Sequence, residues 1–465
     1  QFRRPAGHLR LPPTMPMADH RLPDPVPIDT LLLPRWLIPV EPANVVLDDH
    51  AVAIESGKIV AVLPRGEALQ RYAPRQTREL PDHILIPGLI NLHTHAAMSL
   101  MRGMADDLPL MEWLHKHIWP TESANLSPQF VHDGTRLACA EMLRGGITCF
   151  NDMYFFPDAA ARAASTLGMR AMLGITTLEF PTPFASDADD YIDKGLAVRE
   201  RWHDDPLIGF CLAPHAPYTV SDSSFDRILT LSEQLNLPIH CHIHETRQEI
   251  EDSLKQHGKR PLARLHERGL LGPGFIGVHA VHLDESELAL LASTGTNVAH
   301  CPTSNLKLAS GFSPVAQMRQ LGINVGLGTD GAASNNRLDL FGEMRLASLL
   351  AKGVSGDASA LPAAEVLRMA TLGAAEALGL GRKIGSIAPG KLADLCAVSL
   401  GDLESRPCYD PLSHLINVAS RDNVTHVWVA GKCCVDNKTL PNDRQNDLES
   451  AVALWQNSLE FRQRP

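Results

Sequence analysis

The stretch that decides the fold reads Ile86-Pro87-Gly88-Leu89-Ile90-Asn91-Leu92-His93-Thr94-His95. Branched apolar side chains run into two histidines two positions apart. In an extended chain, residues i and i+2 leave the same face, so His93 and His95 project together. Two such imidazoles can ligate a transition metal, but a histidine pair in the core or on the surface explains the spacing equally well. Any further ligands must come from the rest of the chain.

From Pro87 onward, apolar strand candidates alternate with helical segments, which is typical of parallel βαβ units. Eight strands are predicted in this part, at residues 89–95, 146–152, 170–176, 208–215, 237–244, 275–283, 296–301 and 324–330. Eight such units fit a closed (β/α)8 TIM-type barrel, whose active site lies at the C-terminal ends of the strands. A doubly wound open sheet is the alternative.

Short strand-like runs separated by turn residues flank this part of the chain on both sides. We therefore predict an α/β protein in which residues 26–86 and 385–450 together form a small β-sandwich domain. Residues 87–384 form the metal-dependent barrel inserted between them, and the strands of the first flank are expected to pair antiparallel. Residues 1–25 contain many prolines and no periodicity, which predicts a flexible tail.

The bulk composition narrows the classes of partner. The 465 residues carry a formal net charge of −11, so no basic excess exists to drive binding to nucleic acid or to an anionic membrane.

The most apolar early segment, 31–40, is interrupted by prolines and an arginine, and no apolar stretch follows the N-terminal arginines. Neither a transmembrane helix nor a signal peptide is therefore expected. Nine cysteines without Cys-x-x-Cys spacing indicate reduced thiols and a cytoplasmic location.

Polar side chains occupy the ends of most predicted barrel strands. They are His93, His95, His215, His242, His279, His300 and Asp330. Because the C-terminal ends of barrel strands meet on one face, these imidazoles and the carboxylate are expected to lie close together. Core histidines scattered for structural reasons would not be expected to end so many strands. The pattern therefore predicts a functional site.

Four stretches resemble the amidohydrolase superfamily: PGLINLHTH (87–95), HIHET (242–246), GTDGAASNN (328–336) and GSIAPGKLAD (385–394). Within the superfamily they resemble the branch of chlorohydrolase-like aminohydrolases that includes the 5′-methylthioadenosine/S-adenosylhomocysteine deaminases. The resemblance covers essentially residues 25–440. It implies the barrel fold and hydrolytic deamination of an adenine nucleoside, to the inosine derivative plus ammonia, by a metal-activated hydroxide.

The resemblance implies one divalent metal per subunit, usually zinc, held by His93, His95, His242 and Asp330. Three neutral imidazoles and one carboxylate leave a net positive centre with room for a water, whose pKa the metal lowers. Relatives with two metals carry a carboxylated lysine at the end of the fourth strand. The predicted strand 208–215 contains no lysine, which favours a single metal.

Catalytic roles are implied in the same way. Glu245 would shuttle protons to the ring nitrogen of the substrate and to the departing ammonia, and Asp330 would accept the proton of the attacking hydroxide. His279 would hydrogen-bond that hydroxide. Convergent zinc deaminases on other folds also use a glutamate that is not a metal ligand.

Two further matches concern the substrate. Glu122 lies in a segment, 119–122, that resembles the one whose glutamate binds ribose hydroxyls, and a carboxylate can accept hydrogen bonds from two vicinal hydroxyls. His215 matches a histidine that contacts the substrate. The loop 177–193 is acidic and contains no arginine, so we expect it to form an acidic lip that offers a substrate carboxylate no partner. We therefore expect the neutral methylthio group of 5′-methylthioadenosine to be preferred over the homocysteine tail of S-adenosylhomocysteine; adenosine is a further candidate.

Two alternatives remain open at this point. One keeps the mechanism but deaminates a free base (guanine, 8-oxoguanine or cytosine) or an s-triazine; Glu122 favours a ribosyl substrate instead. The other is a non-catalytic scaffold, against which the complete set of metal and catalytic residues argues. A homo-oligomer is expected.

Further histidines receive weaker predictions. His115 and His117 fall in a predicted helix, where residues i and i+2 point apart, and are expected to be structural. His282 is expected to be structural and His240 to lie in the core. Whether His244 and His300 line the site stays open.

Overall fold

The computed structural model describes residues 24–440 and 442–463. All but the last two residues of the predicted flexible tail therefore lie outside the described residues. The described chain contains sixteen strands: β1 (Val26–Leu37), β2 (Leu47–Asp48), β3 (His50–Glu55), β4 (Lys58–Pro64), β5 (Tyr72–Pro87), β6 (Leu89–Thr94), β7 (Ile147–Asp152), β8 (Arg170–Thr177), β9 (Ile208–Pro214), β10 (Ile239–Ile243), β11 (Phe275–His279), β12 (Asn297–His300), β13 (Val325–Leu327), β14 (Leu395–Ser399), β15 (Val424–Val429) and β16 (Lys432–Val435).

The eight strands β6 to β13 form a parallel sheet in which each strand pairs with its neighbour in the chain. The two ends of this sheet meet at His93, whose backbone carbonyl accepts hydrogen bonds from the N–H groups of Thr329 (3.1 Å) and Asp330 (3.0 Å). The side chains of Asn91 and Thr329 add a bond of 2.8 Å across the same closure. The predicted TIM-type barrel is therefore confirmed, with its eight strands in the predicted places.

A separate sheet joins the two flanks of the barrel, as predicted. Its strands run in the order β16-β15-β14-β5-β1-β3-β4, with β2 paired to β1. All eight are hydrogen bonded in one continuous sheet, in which β1 pairs with β3 and β5, and β5 pairs with β14. The strands β1 and β5 pair in parallel, so the expectation that the first flank is purely antiparallel is wrong. The sequence reading missed β1, whose apolar residues surround Pro34 and Arg35.

Helices separate the barrel strands and cover their outer side. The described chain contains α1 (Arg65–Arg71), α2 (Leu110–Trp113), α3 (Trp119–Asn125), α4 (Pro128–Arg144), α5 (Pro157–Leu167), α6 (Ala188–Arg201), α7 (Asp222–Leu235), α8 (Arg247–His257), α9 (Pro261–Glu267), α10 (Glu285–Thr294), α11 (Pro302–Lys307), α12 (Val315–Gln320), α13 (Ala332–Asn335), α14 (Leu340–Ser355), α15 (Ala363–Met369), α16 (Leu372–Ala377), α17 (Pro411–Asn417) and α18 (Asn442–Gln463). One π-helical turn, Leu114–Ile118, joins α2 to α3. In the described part of the chain, no helix is long and apolar enough to cross a membrane.

The barrel and the separate sheet meet at the junction of β5 and β6. Gly88 lies between these strands, and a Cβ atom at this position would lie 2.1 Å from Oγ1 of Thr148. Its N–H donates to the backbone carbonyl of Asp394 at 2.8 Å. The buried carboxylate of Asp394 in turn accepts two hydrogen bonds from the guanidinium of Arg170 on β8, at 2.9 and 3.1 Å. This ion pair links the two sheets beside the strand that carries His93.

Candidate active site

The C-terminal ends of the barrel strands bring the predicted polar residues together. His93 lies near the end of β6 and His242 near the end of β10, while His279 is the last residue of β11. Asp330 follows β13. His279 and Asp330 have positive φ angles of 72° and 60°, a conformation uncommon for residues with a side chain. Such local strain is typical of functional sites.

Nitrogen and oxygen atoms from four of these residues converge at distances suited to one metal ion. The Nε2 atoms of His93 and His242 lie 3.2 Å apart, and Oδ1 of Asp330 lies 3.2 Å from Nε2 of both His93 and His95. Two ligands of a tetrahedral zinc ion, each about 2.1 Å from it, lie roughly 3.4 Å apart. The donor set therefore fits a divalent metal. His279 also comes within ligand range of His93 and His242.

Hydrogen bonds from the Nδ1 atoms to backbone carbonyls determine which nitrogen of each imidazole can bind a metal. Nδ1 of His95 donates to the backbone carbonyl of Met153 at 2.6 Å, and Nδ1 of His242 donates to the carbonyl of His215 at 2.8 Å. A ring nitrogen that faces a carbonyl must carry the proton, so Nε2 of each ring presents its lone pair to the centre of the site. Nδ1 of His93 lies 2.9 Å from Nε2 of His240.

Hydrogen bonds from neighbouring groups fix the orientation of the Asp330 carboxylate relative to the histidines. Its Oδ2 atom accepts hydrogen bonds from the hydroxyls of Ser304 (2.6 Å) and Ser334 (2.8 Å), and its Oδ1 atom accepts one from the N–H of Gly331. Both serine bonds go to Oδ2, so Oδ1 is the oxygen that faces His93 and His95. The carboxylate therefore has a fixed orientation.

Glu245 and His279 lie side by side next to the four candidate metal ligands His93, His95, His242 and Asp330, which we call the metal-ligand group. Nε2 of His279 is 3.7 Å from Oε2 of Glu245, and Nδ1 of His279 bonds to the amide oxygen of Asn305 at 2.8 Å. Burial raises the pKa of the Glu245 carboxyl above its ordinary value. A raised pKa suits a group that must both take and give a proton near neutral pH. The backbone N–H of Glu245 is held by the buried carboxylate of Glu249 at 2.9 Å.

A cavity of about 220 Å³ opens from this group toward the surface. Glu122, on α3, lines it with one oxygen 2.7 Å from the hydroxyl of Tyr154. Burial raises the pKa of Glu122 to about 7, and the bond from Tyr154 opposes that rise. His215 also lines the cavity. Its outer walls are apolar and include Trp113, Leu114, Ile118, Trp119, Phe155, Leu178 and Phe180.

The acidic loop lies differently from the expectation that it forms an acidic lip. Its carboxylates turn away from the cavity: Glu179 accepts hydrogen bonds from Ser221 and Ser224, and Asp187 caps α6. Asp189 and Asp193 pair with Arg227. The loop meets the cavity instead through Leu178, Phe180 and the segment 181–183. No lysine or arginine is found among the described residues that line the cavity.

The remaining histidines lie outside the cavity. His300 lines a second cavity on the other side of Asn305. His244 leaves the strand with φ 52° and bonds to the N–H of Leu262 and the carbonyl of His282. The ring of His282, which lies beyond the end of β11, bonds to the carbonyl of Ser310 at 2.7 Å. His115 and His117 fall in the π-helical turn.

Sequence reasoning missed three residues that support the site: Tyr154, Ser304 and Ser334. His240 is buried in the core, as expected, but the sequence did not indicate its bond to His93. Tyr154 and the two serines reach the site from loops and short helices, where no periodicity gives the direction of a side chain.

Comparison with known proteins agrees with this geometry. The model of the amidohydrolase family matches residues 84–434. A 5-methylthioadenosine/S-adenosylhomocysteine deaminase from Saccharophagus degradans is 48% identical over 430 residues, covering 92% of this chain and 96% of that protein. One of the same name from Teredinibacter turnerae is 45% identical over 432 residues, covering 93% and 98%.

A solved structure is similar over nearly the whole chain. It is an adenosine deaminase from Xanthomonas campestris with bound zinc, with a TM-score of 0.93 and 50% identity. The match covers 94% of this chain and 100% of that one. The family model, the close relatives and the common fold lead to one conclusion: the chain belongs to the amidohydrolase family.

Proposed function

We propose that the protein hydrolyses the 6-amino group of an adenine nucleoside, forming the inosine derivative and ammonia. The observation that carries this proposal is one cavity that contains both candidate metal ligands and a half-buried carboxylate, Glu122, to which we assign the binding of ribose. The names of the close relatives and of the similar solved structure support the same reaction.

The proposed cofactor is one zinc ion held by His93, His95, His242 and Asp330. The support is the donor spacing and the hydrogen bonds that leave Nε2 of His95 and His242 free. When bound, such an ion lowers the pKa of a water so that it is a nucleophile near neutral pH. We exclude His279 from the ligand set because its Nε2 atom also faces Glu245.

The protein's own groups then move the protons. Asp330 takes a proton from the attacking water, whose oxygen adds to C6 of the purine, and Glu245 delivers a proton to the ring nitrogen N1. Glu245 then takes the remaining proton of the added hydroxyl and passes it to the amino group, the C6–N6 bond breaks as the C6 carbonyl forms, and ammonia leaves. The proton held by Asp330 returns to Glu245 and restores both carboxyl groups to their starting states. His279 hydrogen-bonds the attacking oxygen through Nε2, while its Nδ1–H donates to the amide oxygen of Asn305.

We propose that 5′-methylthioadenosine is the preferred substrate. Glu122 accepts the ribose hydroxyls and His215 contacts the base or sugar. The outer wall offers apolar side chains such as Phe180 and Leu178 and, among the described residues, no cation for a carboxylate tail. A methylthio group is stabilised on such a wall, whereas a homocysteine tail would lose hydration without gaining a partner.

A substrate panel tests both parts of the proposal. Purified protein loaded with zinc is assayed for ammonia release with 5′-methylthioadenosine, S-adenosylhomocysteine, adenosine, adenine and guanine. We expect the highest kcat/KM for 5′-methylthioadenosine, and Glu245→Gln should lower kcat by about 10²–10⁴-fold. Turnover of a free base with no turnover of nucleosides contradicts the reaction. A higher kcat/KM for S-adenosylhomocysteine contradicts only the proposed preference.

A homo-oligomeric state, the absence of a nucleic-acid partner and a cytoplasmic location stay predictions.

A further inference from the structure

One short segment after β7 touches both the metal-ligand group and the proposed ribose site. Met153 donates from its N–H to the carbonyl of Thr94 at 3.0 Å and accepts from Nδ1 of His95 at 2.6 Å. The next residue, Tyr154, donates its hydroxyl to Oε1 of Glu122 at 2.7 Å. Its backbone carbonyl accepts from the hydroxyl of Thr176 at 3.0 Å. The backbone of Tyr154 is therefore held in place from two barrel strands.

The bond between Tyr154 and Glu122 lies in the wall of the cavity. Tyr154 is 4% exposed and Glu122 is half-buried, and both groups line the cavity. Among the described residues, Tyr154 is the one hydrogen-bond donor to the Glu122 carboxylate. Burial and the neighbouring carboxylate keep the phenol protonated by raising its pKa. Tyr154 is therefore a donor, and Glu122 must be the acceptor.

A carboxylate on a helix has several rotamers, and a helical glutamate loses rotamer entropy when it binds. A donor that holds one oxygen removes this cost before the substrate arrives. Oε1 of Glu122 is occupied by Tyr154, which leaves Oε2 and the second lone pair of Oε1 for the substrate. Two vicinal hydroxyls of a ribose can donate hydrogen bonds to these remaining acceptor positions.

We propose that Tyr154 is a positioning residue for ribose recognition, which holds Glu122 in the orientation that accepts the 2′- and 3′-hydroxyls. This inference rests on the proposed function, because it takes the substrate to be a nucleoside. Tyr154 acts through Glu122 and takes no part in proton transfer at the purine ring.

Two other roles for Tyr154 make different predictions. A purely structural role, through packing of the ring, is retained in Tyr154→Phe, which removes only the hydroxyl. A role through Met153 and the metal ligand His95 would change zinc content and kcat for every substrate. Only the positioning role depends on the hydroxyls of the sugar.

The experiment compares adenosine with 2′,3′-dideoxyadenosine, which lacks both hydroxyls. Wild type, Tyr154→Phe, Glu122→Gln and the double variant are each assayed with the two nucleosides as zinc-loaded proteins. In Tyr154→Phe we expect the ratio of kcat/KM for adenosine to that for dideoxyadenosine to fall about tenfold, mainly through KM. Activity on dideoxyadenosine should change less than twofold. In the double variant the loss should be no larger than in Glu122→Gln alone, because coupled residues are not additive.

The control is Tyr72→Phe, which removes the hydroxyl of another buried tyrosine, in the separate sheet; its substrate ratio should equal that of wild type. The inference is overturned if Tyr154→Phe keeps the wild-type ratio, if both nucleosides lose activity equally, or if zinc content falls. Wild-type protein that deaminates neither of these nucleosides nor 5′-methylthioadenosine would instead contradict the proposed function itself, and with it the inference built on that function.

Discussion

At the scale of single residues, a histidine behind the site contacts one that faces it. His240 is completely buried, and its Nε2 atom lies 2.9 Å from Nδ1 of His93. If Nε2 of His93 binds the metal, its Nδ1 carries the proton and donates it to His240. Burial keeps His240 neutral by lowering its pKa well below the ordinary value, so it can accept.

We expect His240→Phe to weaken zinc affinity by about 10–100-fold, the usual effect of removing the outer partner of a ligating histidine. His240→Gln should retain most of the affinity, because its amide oxygen can accept the same proton. Competition with a chromophoric chelator measures the affinity without reference to activity.

His300→Phe is the matched control, since His300 is also a buried histidine near a strand end but faces a different cavity. Equal loss of zinc affinity in His240→Phe and His300→Phe would show that general disruption of the barrel, rather than the bond to His93, is responsible.

The site residues differ in how far the sequence could predict them. His93, His95 and His242 end apolar strands, where alternation fixes the facing of a side chain, and the resemblance identified Asp330, Glu245 and Glu122. Tyr154 could not be predicted, because the segment after β7 has no regular period. The acidic loop was misjudged for the same reason: composition showed its charge, but not that Asp187 caps α6 and that Asp189 and Asp193 pair with Arg227.

At the scale of elements, the change from β5 to β6 depends on Gly88. A Cβ atom there would lie 2.1 Å from Oγ1 and 2.3 Å from Cγ2 of Thr148. We expect Gly88→Ala to lower the free energy of unfolding by about 1–3 kcal/mol, because the packed strands must separate to admit a methyl group. Urea unfolding of the zinc-loaded protein measures this.

Gly353→Ala serves as the comparison, because no atom lies within 4 Å of the added Cβ and alanine favours the helix α14. Its stability should equal or exceed that of wild type. A Gly88→Ala protein as stable as Gly353→Ala would mean that β6 and β7 tolerate the extra methyl group.

The elements also show where sequence patterns are reliable. The barrel strands were predicted well because each is a short apolar run between turn residues, with little competing signal. The strand β1 was missed because Pro34 and Arg35 interrupt its apolar run. Its pairing partners lie far apart in the chain, so only the folded sheet reveals that it pairs with β3 and β5.

At the scale of the whole molecule, we propose that residues 26–86 and 385–450 form one domain and residues 87–384 the barrel. The structure adds the helix α18, which packs on α4 of the barrel through a contact between Trp455 and Phe130. The pair Arg170–Asp394 joins barrel and sheet from a buried position, with exposures of 7% and 2%.

We expect Asp394→Asn to destabilise the protein by about 3–5 kcal/mol, since it leaves the buried guanidinium of Arg170 without its countercharge. Glu79→Gln, which breaks the largely exposed pair with Arg65, should cost less than about 1 kcal/mol. Thermal unfolding of both variants checks the difference. Similar small losses in the two would indicate that the barrel and the sheet do not depend on this link.

The closure of the barrel at His93 has a consequence for the order of folding. The residues that meet there, Asn91 and Thr329, are 238 positions apart in the chain, and contacts between such distant residues form slowly because a long loop must first be closed. The backbone of His93 completes the barrel while its ring faces the Asp330 carboxylate. If these two residues hold the proposed metal, a nascent chain that has not yet reached Asp330 lacks one ligand, and tight metal uptake must wait until the last strand is in place.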